Sequence, residues 1–285
     1  MTLYVIPPQT PMNWHSPQSL LFSYVDNLLA RNRYIMRRHP MGHLVIELKD
    51  STRQTIVGIV AESKSDLAYK VYAKGYGLGI LFTGLSGNME EGEINAKEML
   101  VRTRRGDVAY ISFNLCNDAF ERLWRYLGEY KQRSYHKIYN GENKPREGKG
   151  AGCTAFGTSF IDVAGLGSAV DIEQWTVRAN VPDKLIGGPE GNNRWVGIHR
   201  IMFKRKWADT TRQAYRKIVY HEPSLIYRWI MNEWATKGAI TTHGYKRTQK
   251  GKAKGLLIDC AQYTVPNEPI WQGDYEPVIR QPVLK

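Results

Sequence analysis

The chain has 285 residues, of which 42% are hydrophobic, 11% aromatic and 24% charged, a mixture that excludes a disordered, collagen-like or disulfide-scaffold protein. No apolar run approaches the roughly eighteen residues of a membrane span, so no transmembrane segment is expected. The formal net charge is +13 and lies mostly toward the C-terminal end: residues 1–194 carry 24 Lys+Arg against 20 Asp+Glu, residues 195–285 carry 16 against 7.

Residues 1–8 lack the basic start, apolar core and small-residue cleavage site of a signal peptide. Four prolines between 7 and 17 make an irregular lead-in, after which Ser16 caps a helix through Leu20, Leu21, Tyr24, Leu28 and Leu29, with Pro17 at its first position. Residues 43–49 and 55–62 are β-rich runs around a polar turn and form a hairpin candidate. Further strands are predicted at 77–83 and 107–115. From Asn117 or Asp118, an amphipathic helix carries Phe120, Leu123, Trp124 and Leu127 on one face. A polar, glycine-rich loop over 140–152 leads into a helix that starts at Cys153 and buries Phe156, Phe160, Ile161 and Val163, with Gly165 as its stop. Residues 194–203 read as a strand, 223–236 as a helix, and Lys246 to Lys254 as a basic loop before a short apolar run, Leu256 to Ile258. This divides the chain into a helical lead-in over 1–39, a core over 40–170 and a basic extension over 171–285, which the strand carrying His199 could join to the same sheet.

Several motifs are set aside on chemical grounds. Lys149 is followed by glycine instead of Ser or Thr, so residues 148–152 are no phosphate loop, and Pro223 after His221 and Glu222 breaks the helical zinc motif. Cys116, Cys153 and Cys260 have neither disulfide-framework nor zinc-site spacing, so neither metal nor cofactor is expected.

Cys153 carries the chemistry that remains. A thiol at a helix amino terminus meets the positive end of the helix dipole and free amide groups, which favour thiolate and can stabilise an oxyanion. Against this stands the plain reading of a small buried side chain at the start of a core helix. Cys116, also near a helix start, competes as nucleophile, whereas Cys260 reads as the end of a buried strand. His43 is the candidate base, rigidly held at a strand start. With the hairpin turn centred between Thr52 and Arg53, Glu62 falls directly opposite His43 and would orient its ring; Glu47, four residues along the same strand face, is the rival. His199 reads as a structural histidine, and Trp229 and Trp234 as core.

These residues resemble a known family. Gly42-His43-Leu44-Val45-Ile46-Glu47-Leu48 ahead of Gly152-Cys153-Thr154-Ala155-Phe156-Gly157 is similar to the circularly permuted papain-like fold of the NlpC superfamily, in the order of its lecithin:retinol acyltransferase-like branch. Over residues 40–170 the resemblance implies an α+β fold with an antiparallel sheet packed on the cysteine helix, Cys153 as nucleophile, His43 as base and Glu62 as orienter. The expected function is a cysteine hydrolase that cleaves amide bonds in peptides or cell-wall peptides through a thioester acyl-enzyme. The alternatives are a lipid acyltransferase or thioesterase on the same residues, and a non-catalytic protein whose basic C-terminal region, Lys246 to Lys254 in particular, binds an anionic polymer.

Overall fold

The computed structural model describes residues 1–33, 39–140, 144–236 and 238–273. In chain order the elements are β1 (Thr2–Ile6), α1 (Pro17–Arg33), β2 (His43–Lys49), β3 (Gln54–Ala61), α2 (Lys64–Tyr72), β4 (Leu85–Glu91), α3 (Glu93–Arg105), β5 (Ala109–Leu115), α4 (Asn117–Gln132), β6 (Ile138–Tyr139), α5 (Cys153–Val163), β7 (Thr176–Pro182), α6 (Ile198–Met202), β8 (Tyr215–His221), α7 (Pro223–Ala235), β9 (Lys246–Lys250) and β10 (Ala253–Cys260). The fold is α+β, with a large mixed sheet and, among the described residues, seven α-helices. Of the loop expected over 140–152, residues 141–143 lie outside the described residues, as does 274–285 of the basic extension.

The main sheet has eight strands in the order β6-β4-β3-β2-β1-β5-β10-β9. Its neighbours are antiparallel except β10 and β5, so the wholly antiparallel sheet expected from the sequence is corrected to a mixed one. The parallel pair arises because the chain leaves β5 through α4 and returns to that sheet edge only after nearly 140 residues have been threaded elsewhere, a crossover no hairpin could make. Alternation along each strand feeds two cores. Leu3, Val5, Leu44, Ile46, Val57, Ile59, Ile111 and Leu256 face α4, α5 and α7. Tyr4, Ile6, Val45, Ile56 and Tyr110 face Met99 of α3.

Three expected elements differ. Residues 77–83 hold a short 3-10 helix, Leu78–Leu81, because the chain there runs backbone to backbone against Gly187: a Cβ on Gly79 would lie 2.2 Å from the Gly187 carbonyl oxygen. Residues 194–203 contain α6 in place of a strand, with His199 exposed on it. Lys246 to Lys254 form the β9–β10 hairpin at the sheet edge in place of a loop. β7 and β8 pair only with each other and cover a second, smaller core of Leu78, Phe82, Val181, Leu185, Ile186 and Ile201.

Two close fits hold the layers. Gly157 of α5 sits directly on the sheet, where an added Cβ would meet Leu44 at 3.0 Å and Leu3 at 3.2 Å. Beyond β10 the chain crosses back over α4 and α5. Arg146 holds it there through the carbonyls of Pro269 and Ile270, both at 2.8 Å, and the Glu268 carboxylate, while Trp271 packs against Tyr126, Tyr130 and Tyr135. Gly157→Val should overpack the α5–sheet contact and lower unfolding free energy in urea by about 1–3 kcal/mol, with an unchanged urea m-value.

Candidate functional site

Cys153 begins α5 after Gly152, whose extended backbone turns the chain into the helix. Its thiol is 4% exposed. The Tyr139 hydroxyl lies 3.9 Å and the Thr154 hydroxyl 3.8 Å from Sγ, the Leu44 amide of β2 points at the sulfur, and Thr154 continues to the Tyr220 hydroxyl at 3.4 Å. Burial pushes the thiol above its ordinary pKa, and the amide and hydroxyl contacts offset that only in part. Burial also raises both phenols, foremost among their causes, so Tyr139 and Tyr220 are neutral hydroxyls at physiological pH. The sulfur is thus a neutral thiol among three hydroxyls.

The expected base stands elsewhere. Leu44 faces α5, so strand alternation turns His43 to the opposite side of the sheet. There its ring stacks on His39 at 4.1 Å and 5°, and its Nε2 lies over Gly58. His39 continues to Glu98 of α3 at 3.4 Å. Burial opposes the charge of Glu98, yet its bonds to His39 and Arg102 hold its pKa down to about 2. The sheet therefore separates Cys153 from His43.

Glu62 follows β3 and is exposed. The β2–β3 ladder pairs Ile46 with Val57 and Lys49 with Gln54, so the same register continued would set His43 opposite Val60, two residues short of Glu62. Asp50 causes the shift: its Oδ1 accepts the amides of Thr52 and Arg53 at 2.8 and 2.7 Å and closes the turn one position earlier than expected. Glu47, the rival orienter, accepts instead from the Tyr4 hydroxyl at 2.9 Å and from Gln54, with Lys250 at 3.6 Å. Cys116 caps α4, half-buried, and Cys260 is buried at the end of β10, its pKa pushed up to about 11 by burial and by Asp259.

The described residues contain no group of three His, Cys, Asp or Glu that could hold a metal ion. A cavity of about 230 Å³ beside α5 is lined by Arg146, Thr158, Ser159, Asp162 and His221, but Arg146 is already paired with Asp162 and Glu268. A larger one, about 590 Å³, opens between Pro7, Pro8, His39, Arg102 and Tyr227, where Arg102 is paired with Glu98 and faces Asp107. Neither cavity includes Cys153 or His43.

A run of free charge lies beside the smaller core, which includes Ile201 of α6 and Leu185. Residues 195–217 alone carry seven Lys+Arg against one Asp. Arg216 is paired with Glu190 and Arg212 with Asp209, whereas Lys184, Arg200, Lys204, Arg205 and Lys206 have no ion pair among the described residues. Partial burial and the neighbouring Lys184 charge push the Lys204 ammonium below its ordinary pKa, which marks two cations crowded without an acid between them. Trp195 (53% exposed) and Phe203 (80%) lie in the same stretch of chain as Arg200 and Lys204 to Lys206, and Tyr69 and Tyr72 of α2 are also exposed. The indole is held in a fixed attitude. Its pyrrole atoms Cδ1, Cγ and Nε1 lie 2.3–2.5 Å from where a Cβ of Gly75 would be, and Cη2 lies 2.4 Å from that of Gly197. His199 packs 6.2 Å away. Reading residues 194–203 as a buried strand hides this face. The usable signal is the spacing Trp195, His199, Phe203, each followed within a residue or so by cations or glycine, which suits a turn of exposed helix better than a strand.

By contrast, the basic run expected to bind polymer is largely engaged internally. Lys250 donates to the Tyr4 hydroxyl at 2.7 Å, Arg247 bonds the end of α7 at Glu233 and Thr236, and Lys254 lies 5.5 Å over Trp234. Comparison with protein-family models, with curated proteins and with solved structures finds no match to this chain.

Two outcomes follow from the buried groups. Brief iodoacetamide treatment of the native protein should label Cys116 first and leave Cys153 and Cys260 unlabelled until the protein unfolds, as read by peptide mass spectrometry. His221, 3.1 Å from the Thr176 hydroxyl, has its pKa lowered from 6.5 to about 4, chiefly by burial. The unfolded chain then binds the extra proton first, so the stability tied to neutral His221 is complete above about pH 6.5 and is lost as pH falls toward 4. Chemical denaturation of His221→Gln across that window should show a shallower acid decline than the unaltered protein.

Proposed function

We propose that this protein binds an extended polyanion across the face that carries α6. The observation that supports this reading most is the group Lys184, Arg200, Lys204, Arg205 and Lys206, cations without ion pairs among the described residues, four of them on α6 or in the turn after it and the fifth, Lys184, beside Lys204. Charges left in this state repel one another, and an anionic chain laid across them relieves that repulsion while releasing its own counterions. Their setting on a packed core, instead of a free tail, gives the face a fixed geometry in which little conformational freedom is lost on binding. A polymer suits the arrangement better than a single small anion, because the cations are spread along α6 and the residues that follow it.

A second reading, acyl transfer at Cys153, draws support from one observation: the Leu44 amide and the start of α5 both address the sulfur. In that reading the nucleophile works with a base other than His43, which stands across the sheet. Loss of a measurable hydrolytic activity in Cys153→Ser would establish it independently of polyanion binding.

Binding to heparin, followed by fluorescence anisotropy, should weaken steeply with salt. Changing Lys204, Arg205 and Lys206 together to Gln should reduce the slope of log K against log salt by about one for each of these cations that meets an anionic group of the polymer. Lys250→Gln, at a cation already held by Tyr4 and Glu47, should leave both affinity and slope unchanged. Salt-independent binding, or an equal loss from Lys250→Gln, would refute the proposal.

A further inference from the structure

We infer that the polyanion is a single-stranded nucleic acid, one of whose bases stacks on the outer face of Trp195; the inference rests on the polyanion reading above.

The attitude of the indole carries it. A tryptophan that is only tolerated on a surface normally folds its ring down over whatever apolar side chains surround it. Trp195 instead lies against backbone. Its five-membered ring meets Gly75 face-on, with three ring atoms almost equidistant from the missing Cβ, and the far edge of its six-membered ring abuts Gly197. Any side chain at either glycine would occupy the space of the ring. Two glycines therefore make room for the indole at both of its ends, and the residue remains 53% exposed. Gly75 is locked in the left-handed region at φ +63°, a conformation that disfavours other residues, so the seat is rigid on that side.

An outward aromatic face amid cations matches the two parts of a single-stranded nucleic acid. Every base has a π-face that stacks without reference to sequence, and the phosphates between bases need nearby positive charge. Here Arg200 lies on α6 just after Trp195, Lys204 follows the helix and adjoins Lys184, and Phe203 at the helix end offers a second exposed ring. A sulfated polysaccharide would use the cations, but the sulfates and carboxylates crowded around its sugar rings hinder the C–H faces that could pack on the indole. An anionic membrane would use both, but would bury the rings by insertion and not by stacking. Duplex nucleic acid keeps its bases stacked on one another and out of reach of a surface ring.

The test compares three probes: a short oligothymidylate, heparin, and vesicles of phosphatidylglycerol. Trp195→Ala should weaken oligothymidylate binding about tenfold or more at fixed salt while changing heparin affinity less than about twofold and leaving the salt slope for both intact. Gly197 has φ −74° and ψ 153°, which any residue adopts, so Gly197→Ala keeps the backbone and displaces the indole together with the His199 ring, whose Cε1 lies 2.8 Å from the added Cβ. It should reproduce the Trp195→Ala loss for oligothymidylate although the indole is still present. Circular dichroism and urea unfolding of both variants check that the fold is intact. An unchanged oligothymidylate affinity in Trp195→Ala, an equal loss for heparin, or tighter binding to vesicles than to oligothymidylate that disappears in Trp195→Ala, would each overturn the stacking inference while polyanion binding stood. Absence of salt-dependent binding to all three probes would overturn the polyanion reading itself.

Discussion

The pairing of β1 on both of its edges is the constraint on which the rest of the molecule depends. Thr2 to Ile6 run antiparallel to β2 on one side and to β5 on the other, and all five residues are buried. A strand in that position must pair its backbone groups on both sides, since water cannot reach them. It also supplies both cores at once. Leu3 and Val5 meet α5 and α7 on one face, Tyr4 and Ile6 meet α3 on the other. The close seat of Gly157 on Leu3 and Leu44 bridges β1 and β2. On the other face, the Tyr4 hydroxyl joins Glu47 of the adjacent β2 to Lys250 of β9, which lies three places away on the opposite side.

Strongly periodic elements are legible in the sequence. The β2–β3 hairpin, α4 with Leu123 and Leu127 in the core, α5 from Cys153, and α7 with buried Trp229 all stand where the apolar spacing predicts them. β1 is not legible, because five residues ahead of a proline-rich stretch carry no alternation to read and only tertiary pairing makes them a strand. The segment 77–83 has an apolar run of strand length, yet close approach of Gly77 and Gly79 to a distant backbone decides its form. At the candidate nucleophile, spacing along the chain suffices for the local structure, since Cys153 does begin a buried helix. It does not suffice for the surroundings, for a reason specific to sheets: the face on which a histidine falls is fixed by its neighbours' alternation, and Leu44 rather than His43 takes the side of α5. The register of the hairpin turns on a single carboxylate, Asp50, whose bonds to two amides no propensity would reveal.

The two halves of the structure use aromatic residues in opposite ways. In the main core, Tyr126, Tyr130, Tyr135, Phe156 and Phe160 pack in one buried cluster, edge to face except for the tilted Tyr130–Phe156 pair, and geometry there is enforced by neighbours on every side. On the smaller core, Trp195 lies where two glycines, Gly75 and Gly197, leave room for its ring. The first arrangement resists almost any change of volume. The second leaves an outward surface whose position is still determined, as a recognition element requires if it is not to lose conformational freedom at each encounter.

The crossing of residues 268–272 over α4 and α5 bears on how the chain is made. Ribosomal synthesis runs from the amino-terminal end, and domains ordinarily fold as they emerge. Here β5 has no partner on its outer edge until β10 exists, and the tyrosine cluster stays uncapped until Trp271 and the segment gripped by Arg146 have arrived. A nascent chain from which residues 253–272 have not yet emerged therefore carries an open strand edge and a bare aromatic surface, the two features most prone to wrong association. The molecule is one whose safe folding must wait until β10 and the segment around Trp271 have emerged, and a pause in translation before that point would hold it at its most vulnerable.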